Sequence, residues 1–486
     1  MRLTELLELL QPRQVVDYQD VELTGVAAHP DDVPAGGLLG CVAEYLRYNR
    51  WLEPRELGAA YAACPAAAFI TEWPLAVGGR PQLIVADARH ALGLAARALH
   101  GAPDAAMPVV GITGTNGKTT TARLLGHLFQ AVAGGGGSLG TLGLERGGTP
   151  LEAGPYTTPL APELYADLAR LRAAGCRAAA IEVSSHALAL DRVAGLRFAA
   201  AVLTNLTRDH LDFHGTPEAY RDAKLRLFSG LAADAPAILN RDSPHYDAFR
   251  SVCPGPVRSY SLFRADADYV AADVEVSPHH TAFVLRTRAG EVPVRTRLIG
   301  RFQVENILAA LAAAHLLGAD LAALAAAAAT FATVPGRMQT VPLANGATAV
   351  VDYAHNPDGL HNLLENCRAL NPARIILVFG CGGDRDRGKR PLMGDIGYRG
   401  ADLCWLTSDN PRTEDPLRIL ADILAGLPPG AAPQVEPDRR QAILQARAAC
   451  RPGDLLVVAG KGHEDYQIIG EAKYPFSDLE ELMTNG

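Results

Sequence analysis

Cysteine is sparse and unclustered in this chain of 486 residues. The eight cysteines (Cys41, Cys64, Cys176, Cys253, Cys367, Cys381, Cys404 and Cys450) include no two within three residues. No CxxC pair exists to hold zinc or run dithiol chemistry, and reduced, buried thiols are the expectation. An excess of basic residues is also missing. Lys and Arg number 45 against 53 Asp and Glu, for a formal net charge of −8. A broad surface for gripping a nucleic-acid backbone is therefore not expected, although a local basic pocket for a small anion remains open. The opening Met1-Arg2-Leu3-Thr4-Glu5 lacks a basic start followed by an apolar core, so it does not read as a secretion signal, and a cytoplasmic location is expected. The most apolar tract, Leu308 to Val334, is interrupted by His315, Gly318 and Asp320. Its apolar spacing predicts an Ala-rich helical pair and no membrane span. No repeat of 20–50 residues marks a solenoid.

What is present is ordinary globular composition, 48% hydrophobic and 20% charged, with mean hydropathy +0.05. At roughly 150 residues per domain, the length suggests about three domains. From about residue 105, short apolar runs alternate with helical patterns. Pro108–Thr113, Ala178–Val183 and Ala199–Asn205 read as buried strands, with a helix over Ala161–Ala174 between them. The alternation restarts after Pro335-Gly336, with strand candidates Thr348–Tyr353, Arg374–Phe379, Leu403–Thr407 and Leu455–Ala459. Two helix-covered, mostly parallel sheets follow. Residues 1–104 form a third, less legible piece.

The sharpest local signal is Gly111-Ile112-Thr113-Gly114-Thr115-Asn116-Gly117-Lys118-Thr119-Thr120. An apolar strand enters a Gly-rich turn and a helix leaves it. Glycines let successive N–H groups point at phosphate oxygens, and the helix N-terminus favours negative charge. Lys118 can reach the β- and γ-phosphates and Thr119 can hold Mg²⁺. Ile112 stands where the usual spacing wants Gly, so this is a shortened variant. Glu182, at the end of its strand, is placed to bind Mg²⁺, a hard cation that prefers oxygen. His210 and His214 are four apart, but the Glu of HExxH is missing. One His near a Mg²⁺–phosphate centre is favoured over a zinc pair. Four polar loops end the four strands of the last stretch: Asp352–Pro357, Gly380–Arg390, Ser408–Arg412 and Gly460–Glu464. Together they predict a crevice rich in Arg, Lys, Asp and Glu, suited to a zwitterionic ligand. Arg pairs with carboxylates in bidentate fashion, and Asp and Glu pair with ammonium.

In order along the chain, Gly114–Thr120, Thr157-Thr158-Pro159, Glu182–His186, Asn205–Asp209, Tyr220–Phe228, Asp352–Asn356, Gly380–Pro391, Asp409–Arg412 and Gly460–Glu464 resemble the motifs of the Mur ligases. These are ATP-dependent amide-bond ligases of peptidoglycan precursor synthesis. The resemblance covers residues 80–486. It implies three α/β domains: a UDP-type acceptor domain over 1–104, a central P-loop-type ATP-binding domain over 105–334, and a Rossmann-like amino-acid-binding domain over 335–486. It implies ATP and Mg²⁺ as cofactors, small-molecule substrates and a monomer. The implied reaction joins meso-diaminopimelate to the D-Glu carboxylate of UDP-N-acetylmuramoyl-L-Ala-D-Glu through an acyl phosphate.

By that resemblance Gly114, Thr115, Asn116, Gly117, Lys118, Thr119 and Thr120 hold the nucleotide phosphates, Asn306 the adenine, Arg337 a phosphate, and Asp352 and His355 the region of the ribose. Thr119, Glu182, His210 and Lys224 serve the metals, Lys224 as a carbamate; Lys118, Glu182, His210, Lys224 and Arg337 form the catalytic set. Thr157, Thr158, Ser184 and Arg192 match acceptor contacts. Arg385, Asp409, Asn410, Pro411, Arg412, Gly460 and Glu464 match the incoming amino-acid site. Asp-Asn-Pro-Arg is the family's mark for diaminopimelate over lysine, and the distal carboxylate of diaminopimelate gives Arg412 a partner.

The chain departs from the family pattern in places. Ala27-Ala28-His29 stands for Asp-Ser-Arg, and Tyr48-Asn49-Arg50-Trp51-Leu52 for Asp-Gly-His-x-Phe. Leu190 stands for Gln, Gln339 for Glu and Gln303 for Asn. Asp31 and Asp32 add negative charge where a diphosphate would approach. The departures admit an alternative, the same ligase core acting on a different carboxylate acceptor. A silent nucleotide-binding scaffold would not need the full set of Lys118, Thr119, Glu182, His210 and Lys224.

Overall fold

The structure, a computed structural model, describes residues 1–46, 50–152, 154, 156–277 and 279–483. Tyr48 and Asn49, part of the altered N-terminal motif, lie outside the described residues. By contacts the chain forms two compact units. One contains Met1–Asn205, Arg221–Tyr260 and Ala309–Ala327; the other contains Leu206–Tyr220, Ser261–Leu308 and Ala328–Gly486.

The first unit carries two sheets. Residues 14–84 form a five-stranded sheet in the order Gln14–Val16, Gln82–Ile84, Ala68–Thr71, Leu38–Gly40, Val26–Ala27, with only its first strand antiparallel to its neighbour. The second sheet has at its centre Gly136–Gly140, Ala178–Glu182, Val109–Thr113, Ala200–Leu203, Ala237–Asn240 and Val257–Ser261, all parallel. Val109–Thr113 and Ala178–Glu182 are buried at every position. Such continuous apolar runs are expected of strands covered on both faces.

The second unit is built on a six-stranded sheet in the order Gln339–Pro342, Thr348–Asp352, Leu455–Ala459, Ile375–Phe379, Leu403–Leu406, Gln434–Val435; the first strand is antiparallel and the rest are parallel. Alternate residues feed two cores. Val350, Leu377, Phe379, Leu406 and Val457 pack on one face, while Val351, Ile376, Val378, Trp405 and Val458 pack on the other. The period of two along each strand is the reason. Beneath the strand ends, Arg439 and Asp478 form a fully buried ion pair through two 2.7 Å contacts, and Arg439 also donates to the carbonyls of Ser408 and Ala459. That bond set fixes two of the crevice loops from below.

The expected strands appear within a residue or two of their predicted limits. The Ala-rich tract forms two helices, Arg301–Leu316 and Leu321–Thr330, separated at Gly318 (φ +99°). No helix among the described residues is long and apolar enough to cross a membrane. The antiparallel strands Tyr269–Val276, Thr281–Thr287 and Gly290–Thr296 were not expected. Their period-two pattern is half-exposed and interleaved with charge, so no single apolar run marks them.

Candidate active site

In the first unit, the strand Val109–Thr113 runs into the phosphate loop and the helix Lys118–Ala133 leaves it. Gly114 (φ +154°) has no room for a side chain, because a Cβ there would lie 1.9 Å from Thr204 Oγ1. The loop is tied down from a neighbouring strand end. Asn205 Oδ1 accepts from Asn116 N–H (2.9 Å), Asn205 O accepts from Thr115 N–H (3.0 Å), and Thr204 Oγ1 donates to Asn116 O (2.6 Å). Lys118 Nζ donates to the Gly114 and Thr115 carbonyls at 2.9 and 2.8 Å. Thr119 and Thr120 are buried at the start of the helix.

Lys224 is not a plain surface lysine. It is 1% exposed, and its Nζ donates to Gly114 O at 2.9 Å. A residue 110 positions away thus braces the phosphate loop from beneath.

Glu182 is buried and held by three donors: Thr119 Oγ1 (3.0 Å), Thr141 N–H (2.8 Å) and Thr141 Oγ1 (3.1 Å). Thr141 was missed in the sequence. It is one small polar residue after a Gly-rich strand, with no motif around it. Thr141 Oγ1 also meets Thr157 Oγ1 at 3.1 Å. Thr158 Oγ1 donates to Glu182 O, and Ser184 N–H donates to Thr158 Oγ1. Ser184 Oγ caps the next helix through Ala187 N–H, and Arg192 donates to Thr158 O at 3.0 Å while lying over the Tyr156 ring. The four acceptor-type residues therefore share one bonded network with Glu182. A Thr hydroxyl beside a carboxylate is an oxygen-only donor set that fits Mg²⁺, which takes one or two carboxylates and leaves other positions to ligand phosphates and water. Among the described residues no cluster of three or more His, Cys, Asp or Glu side chains stands ready for a metal.

Two of the departures from the family pattern share one small, largely apolar cavity of about 40 Å³. Ala28 and Leu190 line it with Val42, Leu92, Leu160, Arg89 and Arg192. Two others are compensated within the second unit. Gln303 Oε1 accepts from Asn306 Nδ2 at 3.0 Å, and Gln339 Oε1 accepts from Gly336 N–H at 2.9 Å.

The second unit contains the predicted crevice, a cavity of about 160 Å³. Arg385, Asp409, Asn410, Arg412, Gly460, Glu464 and His355 line it, and so do Asp209, His210, Asp212 and Lys389. Arg412 Nη1 donates to Gly383 O at 2.8 Å, and its own backbone (φ +54°) is pinned by Ile468 O. Burial and the adjacent Arg385 charge both act to lower the Arg412 pKa. Two guanidiniums lining one crevice are stabilised by a carboxylate bound there. Pro411 does not line the cavity; its carbonyl lies so close to Gly383 that a Cβ there would meet it at 1.9 Å.

Asn410 organises the opposite wall. Its Oδ1 accepts from Lys461 Nζ (3.0 Å) and Ile468 N–H (2.9 Å), and its Nδ2 donates to Glu464 Oε2 (2.8 Å). Burial acts to raise the Asp409 carboxyl, but Lys461, Arg439 and Arg412 together hold it below its ordinary value. Asp209 is likewise held well below the carboxylate range, burial being outweighed by His210, His355 and Lys389. It accepts from Asn356 Nδ2 at 3.0 Å. Asp352 is spent on backbone, accepting from Met338 N–H and Ala354 N–H at 2.7 and 2.8 Å. It frames the turn that carries Arg337, whose guanidinium lies 4.6 Å over the Tyr353 ring. His214 packs on Phe213 and Tyr220, and His210 lies edge-on to the same Tyr220 ring.

His463, tilted against the Tyr353 ring, is pushed down to about 4, by burial first and then by the Arg337 and Lys461 charges. Between that value and the ordinary 6.5, the unfolded chain binds a proton that the folded chain refuses. Stability is therefore expected to fall as pH drops through this window and to be unaffected by this group above it. His463→Gln is expected to flatten that slope in urea titrations run across the window; an unchanged slope would assign the loss to other groups.

A strand–loop–helix phosphate cradle in one unit and a charge-lined crevice at the strand ends of the other define a nucleotide-binding α/β protein equipped for a zwitterionic small molecule. The Mur ligase middle domain family matches residues 112–314, and the Mur ligase glutamate ligase domain family matches residues 336–462. The UDP-N-acetylmuramoyl-L-alanyl-D-glutamate--2,6-diaminopimelate ligase of Synechococcus elongatus is 41% identical over 98% of this chain and 95% of its own length. The ligase of the same name from Gloeobacter violaceus is 48% identical over 82% of this chain and 81% of its own. A solved structure of a ligase of that name superposes with a TM-score of 0.65 at 36% identity, covering 95% of this chain and 94% of the other. The chain belongs to the Mur ligase family. The similarity extends well beyond residues 80–486 and takes in the altered N-terminal stretch.

Proposed function

We infer that this chain is an ATP-dependent amide-bond ligase that joins meso-2,6-diaminopimelate to the D-Glu carboxylate of UDP-N-acetylmuramoyl-L-Ala-D-Glu. The observation that carries this reading is the crevice that both Arg385 and Arg412 line, in a chain 41–48% identical to ligases of that name. The two guanidiniums suit the distal carboxylate of diaminopimelate; lysine would leave them unpaired.

The chemistry is phosphoryl transfer to a carboxylate, then attack of an amine on the acyl phosphate, with phosphate leaving. The chain supplies positioning and charge. The Gly114–Thr120 amides and Lys118 cradle the β- and γ-phosphates. Lys224, buried under Gly114, holds the loop in shape and is the proposed site of a carbamate. Glu182 and Thr119 are the oxygens that would hold Mg²⁺, which would neutralise phosphate charge, with His210 contributing to the metal centre. Thr157, Thr158, Ser184 and Arg192 orient the acceptor, and Asn306, Arg337 and His355 the nucleotide. The division of labour is proposed as 1–104 for the UDP end of the acceptor, 105–334 for ATP and 335–486 for the amine, in a cytoplasmic monomer.

The test is phosphate release and product mass from ATP, Mg²⁺ and meso-diaminopimelate, with and without the UDP-muramoyl dipeptide. A tripeptide product formed only with the dipeptide supports the reading. ATP binding without that product would instead point to the same core acting on another carboxylate acceptor.

A further inference from the structure

Most charges lining the crevice of the second unit are already partnered. Asp209 is met by Asn356 and lies near His355, Asp386 by Arg208 and Gly388 N–H, and Glu464 by Lys461 and Asn410. Two are not. Lys389, the first residue of the helix Lys389–Gly400, is 6% exposed, lines the cavity, and makes no hydrogen bond or ion pair among the described residues. Asp212 lines the same cavity, and its Oδ1 is buried without a hydrogen-bond partner. A buried, unpaired ammonium and a buried, unpaired carboxylate oxygen are each costly, and a ligand of opposite charge relieves both.

An ammonium and a carboxylate opening together onto one cavity complement an α-amino-acid end, whose own carboxylate and ammonium sit one carbon apart. Arg385 and Arg412 are matched to a distal carboxylate, which leaves the second pair for the other end. We propose that Lys389 and Asp212 bind the α-carboxylate and α-ammonium of the incoming amino acid, the end whose nitrogen enters the amide. This rests on the ligase reading above and adds to it the residues that position the reacting amine.

The test uses the full-length chain, Lys389→Met and Asp212→Asn, the UDP-muramoyl dipeptide as acceptor, and three nucleophiles. Meso-diaminopimelate has both ends. L-lysine keeps the α-end and lacks the distal carboxylate. Hydroxylamine has neither end and traps acyl phosphate as a hydroxamate. Each variant is expected to lose about 10²-fold in kcat/KM with meso-diaminopimelate and by the same factor with L-lysine. ATP-dependent hydroxamate formation is expected to stay at the wild-type rate, which also shows the variants are folded. Unchanged amide synthesis overturns the proposal. A loss confined to meso-diaminopimelate overturns it too, since the pair would then serve the distal end. Loss of hydroxamate formation overturns it as well, by assigning the pair to the first half-reaction or to the fold. Wild-type enzyme that yields no hydroxamate with this acceptor overturns the acceptor reading itself, a result separable from the others because it does not involve the variants.

Discussion

Lys118→Ala will leave a folded protein that has lost ATP turnover by about 10³-fold, the scale seen when one preorganised donor to transferring charge is removed. The fold should survive because the loop does not depend on this side chain alone. Lys224 Nζ also bonds Gly114 O, and Thr204 and Asn205 hold Asn116 and Thr115. The Lys118 ammonium is held by the Gly114 and Thr115 carbonyls at the mouth of the loop. The measurement is phosphate release together with a thermal melt. Retained turnover would remove Gly114–Thr120 from the nucleotide site; a collapsed melt would show that the lysine is structural.

Arg412→Ala is expected to lower kcat/KM for meso-diaminopimelate by about 10³-fold while changing that for L-lysine by only a few-fold, so that selection is largely lost. The asymmetry follows from the partner each substrate brings. Diaminopimelate offers a carboxylate to a half-buried guanidinium, and lysine offers none. Gly383 O and Asn410 O already take Arg412 Nη1, at 2.8 and 3.4 Å, which aims the guanidinium and reduces the cost of ordering it on binding. Kinetics with both amino acids decide the matter. Equal losses with the two would place Arg412 at the α-end, and an undiminished preference for diaminopimelate would place selection elsewhere.

Much of this was legible from local pattern. The strands of the parallel sheets are continuous apolar runs between turn signals, and the loops after them carry the polar residues, so their positions could be read off the chain. The antiparallel strands of residues 269–296 were not, because half-exposed strands have no compact apolar signature. Nor was the grouping of residues 206–220 and 261–308 with the C-terminal unit, which depends on contacts between segments far apart in the chain. Gln303 and Gln339 looked like losses until their carbonyl oxygens were found bonded to Asn306 and Gly336. An amide oxygen accepts a hydrogen bond in much the same geometry as a carboxylate.

The sequence by itself determined the parallel α/β architecture, the phosphate loop and the charge character of the crevice, because each follows from spacing along a few consecutive residues. Tertiary structure alone decided that Lys224 lies beneath Gly114, that Thr141, outside every motif, joins Thr119 in holding Glu182, and that Asp212 and Lys389 open unpaired onto one cavity. These pairs are separated by 41 to 177 positions. Nothing in local pattern ranks such encounters. They arise from which strand ends the sheet order brings together, and that order is fixed by burial of whole faces rather than by the residues that meet there.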